Sequence, residues 1–205
     1  FDAHLMINEP VKHVRDYIDA GSDIITVHVE VCDESSFGEI SDMLRSNQVG
    51  IGLAINPDTE LPEWCYKFVE SLDQIIIMSV VPGKSGQKFI ESTHEKTKRI
   101  AKDLREHKFE GYIEADGGVN LENIGACFED GARAFVGGSA IIGQNDVRMI
   151  IKEFRNQVLE SRRRLLIKKA HDLGGTELVN SWIDLHVVGE KKDKLVHIAK
   201  ELGFQ

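Results

Sequence analysis

Two stretches of this sequence place reactive side chains where a backbone can present them. In Asp2-Ala3-His4-Leu5-Met6 the side chains of an extended chain alternate, so Asp2, His4 and Met6 share one face and Ala3 and Leu5 the other. A histidine and an aspartate on one strand face need a partner or a metal; the alternative for His4 is an inward histidine satisfied by hydrogen bonds. Far downstream, Asp116 closes a short apolar segment immediately before Gly117-Gly118. It is the best single candidate for a catalytic carboxylate that moves a proton, with an N-cap of the following helix as the alternative.

The glycines suggest what such a carboxylate would act on. Gly117-Gly118 and Gly138-Ser139 each leave backbone N–H groups unobstructed at a strand end, aimed outward by the turn into the next helix. Phosphate suits such donors, although either pair alone is also the composition of an ordinary tight turn. A third Gly-rich stretch, Pro82-Gly83-Lys84-Ser85-Gly86-Gln87, follows Met78-Ser79-Val80. It has the length and glycines of a mobile lid, or of a plain connecting loop.

Segments rich in Val and Ile must position these groups: Phe1 to Ile7, Asp23 to Glu30, Val49 to Asn56, Gln74 to Val80, Gly111 to Gly117 and Ala132 to Ile141 read as strands. Between them, helices are expected from Pro10 to before Gly21, then over Glu34–Ser46, Glu60–Ser71, Lys88–His107, Leu121–Asp130 and Val147–Ser161. This alternation implies parallel strands joined by right-handed crossovers. In an open doubly wound fold the glycine fingerprint follows the first strand, whereas here the glycines follow the last two. That placement matches a (β/α)8 TIM barrel, whose phosphate site lies after its seventh and eighth strands. Phe1 to Ile7 is then strand three, strands one and two fall outside this sequence, and residues 1–161 carry strands three to eight. After Ser161 a basic stretch to Asp172, Gly174-Gly175 and an amphipathic segment from Lys192 to Leu202 read as a helical C-terminal extension, 162–205, outside the barrel.

Composition removes other classes. A net charge of −9 argues against nucleic acid and anionic membrane surfaces, and it makes local N–H donors the natural anion binders. No apolar run has the length to span a bilayer and no signal peptide is visible, so a cytoplasmic location is expected. Cys32, Cys65 and Cys127 show no paired spacing and read as small buried hydrophobes.

Taken together, the motifs resemble the ribulose-phosphate 3-epimerase family from its third strand onward, over Phe1 to about Ser161. They are Asp2-Ala3-His4-Leu5-Met6, Ile25-Thr26-Val27-His28-Val29-Glu30, Gly52-Leu53-Ala54-Ile55-Asn56-Pro57, Met78-Ser79-Val80, Pro82-Gly83 with Gly86-Gln87, Glu114-Ala115-Asp116-Gly117-Gly118-Val119 and Gly138-Ser139-Ala140-Ile141. The resemblance implies a barrel of the ribulose-phosphate-binding type and inversion at C3 of D-ribulose 5-phosphate through a metal-stabilised enediolate. It implies one divalent ion (zinc, iron, manganese or cobalt) held by two His and two Asp, with His4 and Asp116 filling the later places and a His-x-Asp upstream of Phe1 filling the earlier ones. Asp116 would be one acid/base and the upstream Asp the other. Met6 and Met78 would wall the reacting carbons, and His28 and Glu30, on one strand face, would support the site. Substrate would meet His4, the phosphate cradle of Gly117, Gly118, Gly138 and Ser139, and the lid residues Gly83, Lys84, Ser85 and Gly86.

The lid departs from the family's Pro-Gly-Phe-Gly-Gly-Gln: Lys84 replaces the aromatic, either touching phosphate or solvated, and Ser85 replaces a glycine. In the tail, Asp184-Leu185-His186 either offers metal ligands in place of the upstream pair or is a solvated surface segment. The competing functions are another ketose-phosphate 3-epimerase and a non-catalytic phosphate-binding remnant. The expected partner is a small phosphorylated ketose, not nucleic acid or membrane, and a homo-oligomer is expected. Residues 1–205 alone are expected to bind metal weakly, associate through open strand edges and lack epimerase activity.

Overall fold

The structure, a computed structural model, describes residues 1–84 and 86–172. Strands form where Val and Ile cluster: β1 (Asp2–Leu5), β2 (Ile24–His28), β3 (Gly50–Ile55), β4 (Gln74–Met78), β5 (Tyr112–Asp116) and β6 (Ala134–Val136). They make one parallel sheet in sequence order, interleaved with α1 (Pro10–Asp19), α2 (Glu34–Ser46), α3 (Thr93–Glu106), α4 (Ile124–Asp130) and α5 (Val147–Asp172). Pro10 opens α1, and a capping box between Asp33 and Ser36 starts α2 where the sequence predicts.

The sheet curls strongly. Neighbouring strands lie about 4.8 Å apart, so in a flat sheet β1 and β5 would be separated by about four such spacings. Instead His4 of β1 lies 3.3 Å from Asp116 of β5, and Gln74 of β4 donates to Asp2 of β1 at 2.7 Å. The described residues therefore form a curled half-barrel of six strands, and the closed eight-stranded barrel of the expectation is seen only in part.

Strand alternation sorts the two faces. Leu5, Ile25, Val27, Ile51, Leu53, Ile55, Ile75, Ile77 and Ile113 point outward and are buried under the helices with Phe37, Ile40, Leu44, Ile100 and Leu104. The inner face carries His4, Thr26, His28, Gln74, Glu114 and Asp116, with a small apolar cluster of Ala54, Ile76, Met78 and Val80. The three cysteines are free thiols, half-buried or buried. Among the described residues no helix is long and apolar enough to cross a membrane.

Several elements differ from the sequence reading. Glu60–Ser71 is not an α-helix but two 3-10 turns, Glu63–Lys67 and Val69–Ser71. Pro62 pushes its predecessor out of the helical region, so no helix runs through from Glu60. The sixth strand stops at Val136, because the N–H groups of Ile141 and Ile142 fold back onto the Gly138 carbonyl (3.0 and 2.7 Å). The second strand stops at His28, and Glu30 lies in a 3-10 turn, Val29–Val31, so the two do not share one strand. The last helix runs unbroken through Ser161 to Asp172, packed on α4 by Arg164, which reaches Glu129 (3.1 Å) and Ser161 (2.6 Å). Ser85, Asp184, His186 and the rest of the expected extension beyond Asp172 lie outside the described residues.

Candidate active site

Register delivers the groups to one end of the half-barrel. Met78 pairs with Asp116 and Asp116 with Val136, so β4, β5 and β6 finish together at the carboxyl edge of the sheet. Ser79 ties two of these ends: its N–H donates to the Asp116 carbonyl (2.7 Å) and its hydroxyl to the Gly117 carbonyl (2.6 Å). Gly117 and Gly118 then turn at φ +116° and +64°, where side chains are disfavoured. At Gly118 a Cβ would also sit 2.5 Å from the backbone nitrogen of Phe89, so the close approach of two backbones requires glycine as much as the torsion does.

The carbonyls of these turns face protein. Gly118 O accepts from the side-chain amides of Asn120 (3.3 Å) and Asn123 (3.1 Å), and Gly138 O from the turn behind it. In a trans peptide the next N–H points the opposite way, so those of Val119 and Ser139 are directed away from these bonds. Gly117, Gly118, Gly138 and Ser139 all line one cavity of about 450 Å³. Met6, Met78, Val80 and Asp116 line it too, and Gly83, Lys84 and Gly86 of the loop after β4 form its rim. Gln87 braces that rim loop from within, its amide donating to the carbonyls of Val81 (2.6 Å) and Lys84 (2.9 Å).

His4 stands behind Asp116, with Nδ1 3.3 Å from Oδ2 and both side chains mostly buried. Its other ring nitrogen, Nε2, lies 2.8 Å from Nε2 of His28, whose Nδ1 is 3.1 Å from Glu30 Oε2. Burial alone would raise the Glu30 carboxyl, but bonds from His28, the Asn56 N–H (2.7 Å to Oε1) and Thr59 outweigh it and hold the group near 2. The structure thus places Asp116, both glycine turns, Met6, Met78, Gly83, Lys84 and Gly86 on one cavity, sets His4, His28 and Glu30 in a line of contacts behind Asp116, and leaves Asp2 off the cavity, paired with Gln74.

Other groups were not singled out. Glu114 faces inward two residues before Asp116; burial, reinforced by Asp2 and Asp116, lifts its carboxyl to about 7. Strand alternation carried that signal. Lys96 of α3 left no signal: it is buried and donates to the carbonyls of Asn56, Pro57 (3.3 Å) and Thr59 (2.6 Å), holding the loop after β3.

A divalent metal can be tested against the donors present. An imidazole nitrogen and a carboxylate oxygen converge, and the outer nitrogen of that imidazole is hydrogen-bonded, as a metal-ligating histidine requires. These two fit as part of a shell; among the described residues no cluster of three or more His, Cys, Asp or Glu completes one.

Comparison with known proteins agrees with this geometry. The model of the ribulose-phosphate 3 epimerase family matches residues 1–142. Ribulose-phosphate 3-epimerase of Escherichia coli (strain K12) is 37% identical over 157 residues, covering 77% of this chain and 68% of that protein. The Bacillus subtilis (strain 168) protein of the same name is 37% identical over 155 residues, 75% of this chain and 70% of that one. Ribulose-5-phosphate-3-epimerase, chloroplastic, of Arabidopsis thaliana is 39% identical over 151 residues, 74% of this chain and 53% of its own length. In fold alone, 3-keto-L-gulonate-6-phosphate decarboxylase from Vibrio cholerae O1 biovar El Tor superposes with a TM-score of 0.56 at 14% identity, covering 78% of this chain and 72% of that one. The family match takes in His4, Asp116 and both glycine turns, of which Asp116 and the turns line the cavity while His4 lies 3.3 Å from Asp116, and the chain belongs to the ribulose-phosphate 3-epimerase family.

Proposed function

We propose that this protein interconverts D-ribulose 5-phosphate and D-xylulose 5-phosphate by moving a proton at C3. The observation that carries the reading is the cavity, lined by Asp116 together with the glycine turns at 117–118 and 138–139. Phosphate sits against the turn N–H groups, and Met6 and Met78 flank the reacting carbons and keep water from them. C3 lies beside the C2 ketone, so its proton is acidic enough for the Asp116 carboxylate to remove it. His4 and Asp116 would hold the divalent ion, which when bound supplies Lewis-acid stabilisation of the enediolate oxygens. A nitrogen and oxygen shell without thiolate admits zinc, iron, manganese or cobalt.

Inversion needs a second acid on the opposite face of the planar intermediate, and the described cavity wall contains no second carboxylate. In this reading that acid, the remaining metal ligands and the strands that close the barrel between β6 and β1 come from chain outside the described residues. Lys84 and the rest of the rim loop cover bound substrate. A cytoplasmic location and self-association through strand edges belong to the same reading. The test is a coupled assay for xylulose 5-phosphate formation by the full-length protein. Asp116→Asn lowers kcat by about three orders of magnitude while substrate affinity stays within about threefold, because a proton-transfer group is lost and no phosphate donor is. Parental kcat in that variant would reassign the carboxylate.

A further inference from the structure

We propose that Glu30 and His28 are positioning residues that fix the tautomer of His4, so that it presents an unprotonated Nδ1 to the space beside Asp116. The inference rests on the metal-site reading above, and it follows from counting protons along one line of contacts. A carboxylate can only accept, so His28 must carry its proton on Nδ1, facing Glu30 Oε2 at 3.1 Å. In the neutral ring its Nε2 is then an acceptor, and across the 2.8 Å contact His4 donates from its own Nε2. The two rings lie within 14° of parallel with centroids 5.0 Å apart, the geometry of imidazoles joined edge to edge through that bond. Neutral His4 is left with its Nδ1 lone pair facing the Asp116 carboxylate at 3.3 Å. Two acceptors meet there, an arrangement that repels unless a cation lies between them, which is what a metal-ligand pair needs.

The carboxylate that starts the line is unusually well anchored. The 3-10 turn after β2 swings Glu30 back so that Oε2 reaches His28 while Oε1 accepts the Asn56 N–H at 2.7 Å. Both oxygens are held, and the bonds that keep the carboxyl near 2 leave it ionised at any working pH. The His28 side chain is 7% exposed, so water is not a ready substitute partner.

Glu30→Gln tests the polarity of the line. Its amide oxygen can keep the Asn56 N–H, which turns the NH2 toward His28 and forces both histidines to reverse, placing a proton on His4 Nδ1. His28→Gln instead preserves polarity, since its NH2 can donate to Glu30 and its oxygen accept from His4. Long-range ¹H–¹⁵N spectra are recorded on the full-length protein after chelator treatment, at a pH well above the ordinary histidine value of about 6.5. They should show His4 Nδ1 unprotonated in the parent and in His28→Gln, and protonated in Glu30→Gln. Cobalt(II) affinity, read by competition with a chromophoric chelator, should fall about 10- to 100-fold in Glu30→Gln while its thermal midpoint stays near the parent's.

A protonated His4 Nδ1 in the parent overturns the proposal, and that spectrum decides even if a variant fails to fold. So does the same His4 tautomer, or the same cobalt affinity, in Glu30→Gln as in a metal-binding parent, with the metal-site reading left standing. A parent that binds no cobalt overturns the metal-site reading and this inference with it.

Discussion

The same six strands have an outer and an inner face, and the two obey different rules. The outer face is nearly pure Ile, Leu and Val, fully buried beneath the helices, and any one contact there is one of many. The inner face mixes Asp2, His4, Thr26, His28, Gln74, Glu114 and Asp116 with four apolar side chains, and its contacts are directional, from Gln74 to Asp2 and Thr26 and along His4, His28 and Glu30. Loss outside should therefore be felt as stability, and loss inside as function. The contrast reflects how the two interactions depend on geometry, area for the first and proton placement for the second.

Leu53→Ala probes the outer face most directly, because Leu53 is wholly buried between Val27 and Ile75. Urea unfolding should show a loss of about 2–5 kcal/mol, while KM and metal affinity of the remaining folded protein are unchanged. A large KM change would mean that the outer packing tunes the site and that the two faces are not separable.

Gly138→Val probes the other side with a smaller effect. A Cβ at Gly138 meets nothing within 4 Å, so the fold tolerates the change, but the side chain enters the cavity. KM should rise about tenfold, or ~1.4 kcal/mol, with the unfolding midpoint and metal content unchanged. Unchanged KM would remove Gly138 from the phosphate cradle.

The smallest expected effect concerns an exception on the outer side, the buried ammonium of Lys96. Burial lowers it from 10.5 to about 8, against the opposing pull of Glu60 and Glu30. Between those values the unfolded chain binds more protons than the folded one, so stability rises with pH across the window. In Lys96→Met that rise should flatten by up to about 1 kcal/mol per pH unit. Equal slopes would show that the three carbonyls keep the ammonium at its ordinary value.

Much of this arrangement is legible in the sequence because it depends on local rules. Alternation placed Asp2 with His4, the expected helix over Glu34–Ser46 is α2, and the glycines marked the strand ends that carry the cavity. The motifs were specific enough to identify the family. What the tertiary structure decided depends on groups distant in sequence. Only the curl of the sheet brings His4 to Asp116, and only the turn at Val29–Val31 lets Glu30 hold His28 and Asn56 at once. Lys96 on its helix has no sequence neighbour that names its carbonyl partners, and the helical look of Glu60–Ser71 gave way to 3-10 turns around Pro62. Periodicity and turn chemistry are properties of a few adjacent residues, so sequence alone determines them; which lone pair meets which proton across a barrel is settled only when the sheet curls.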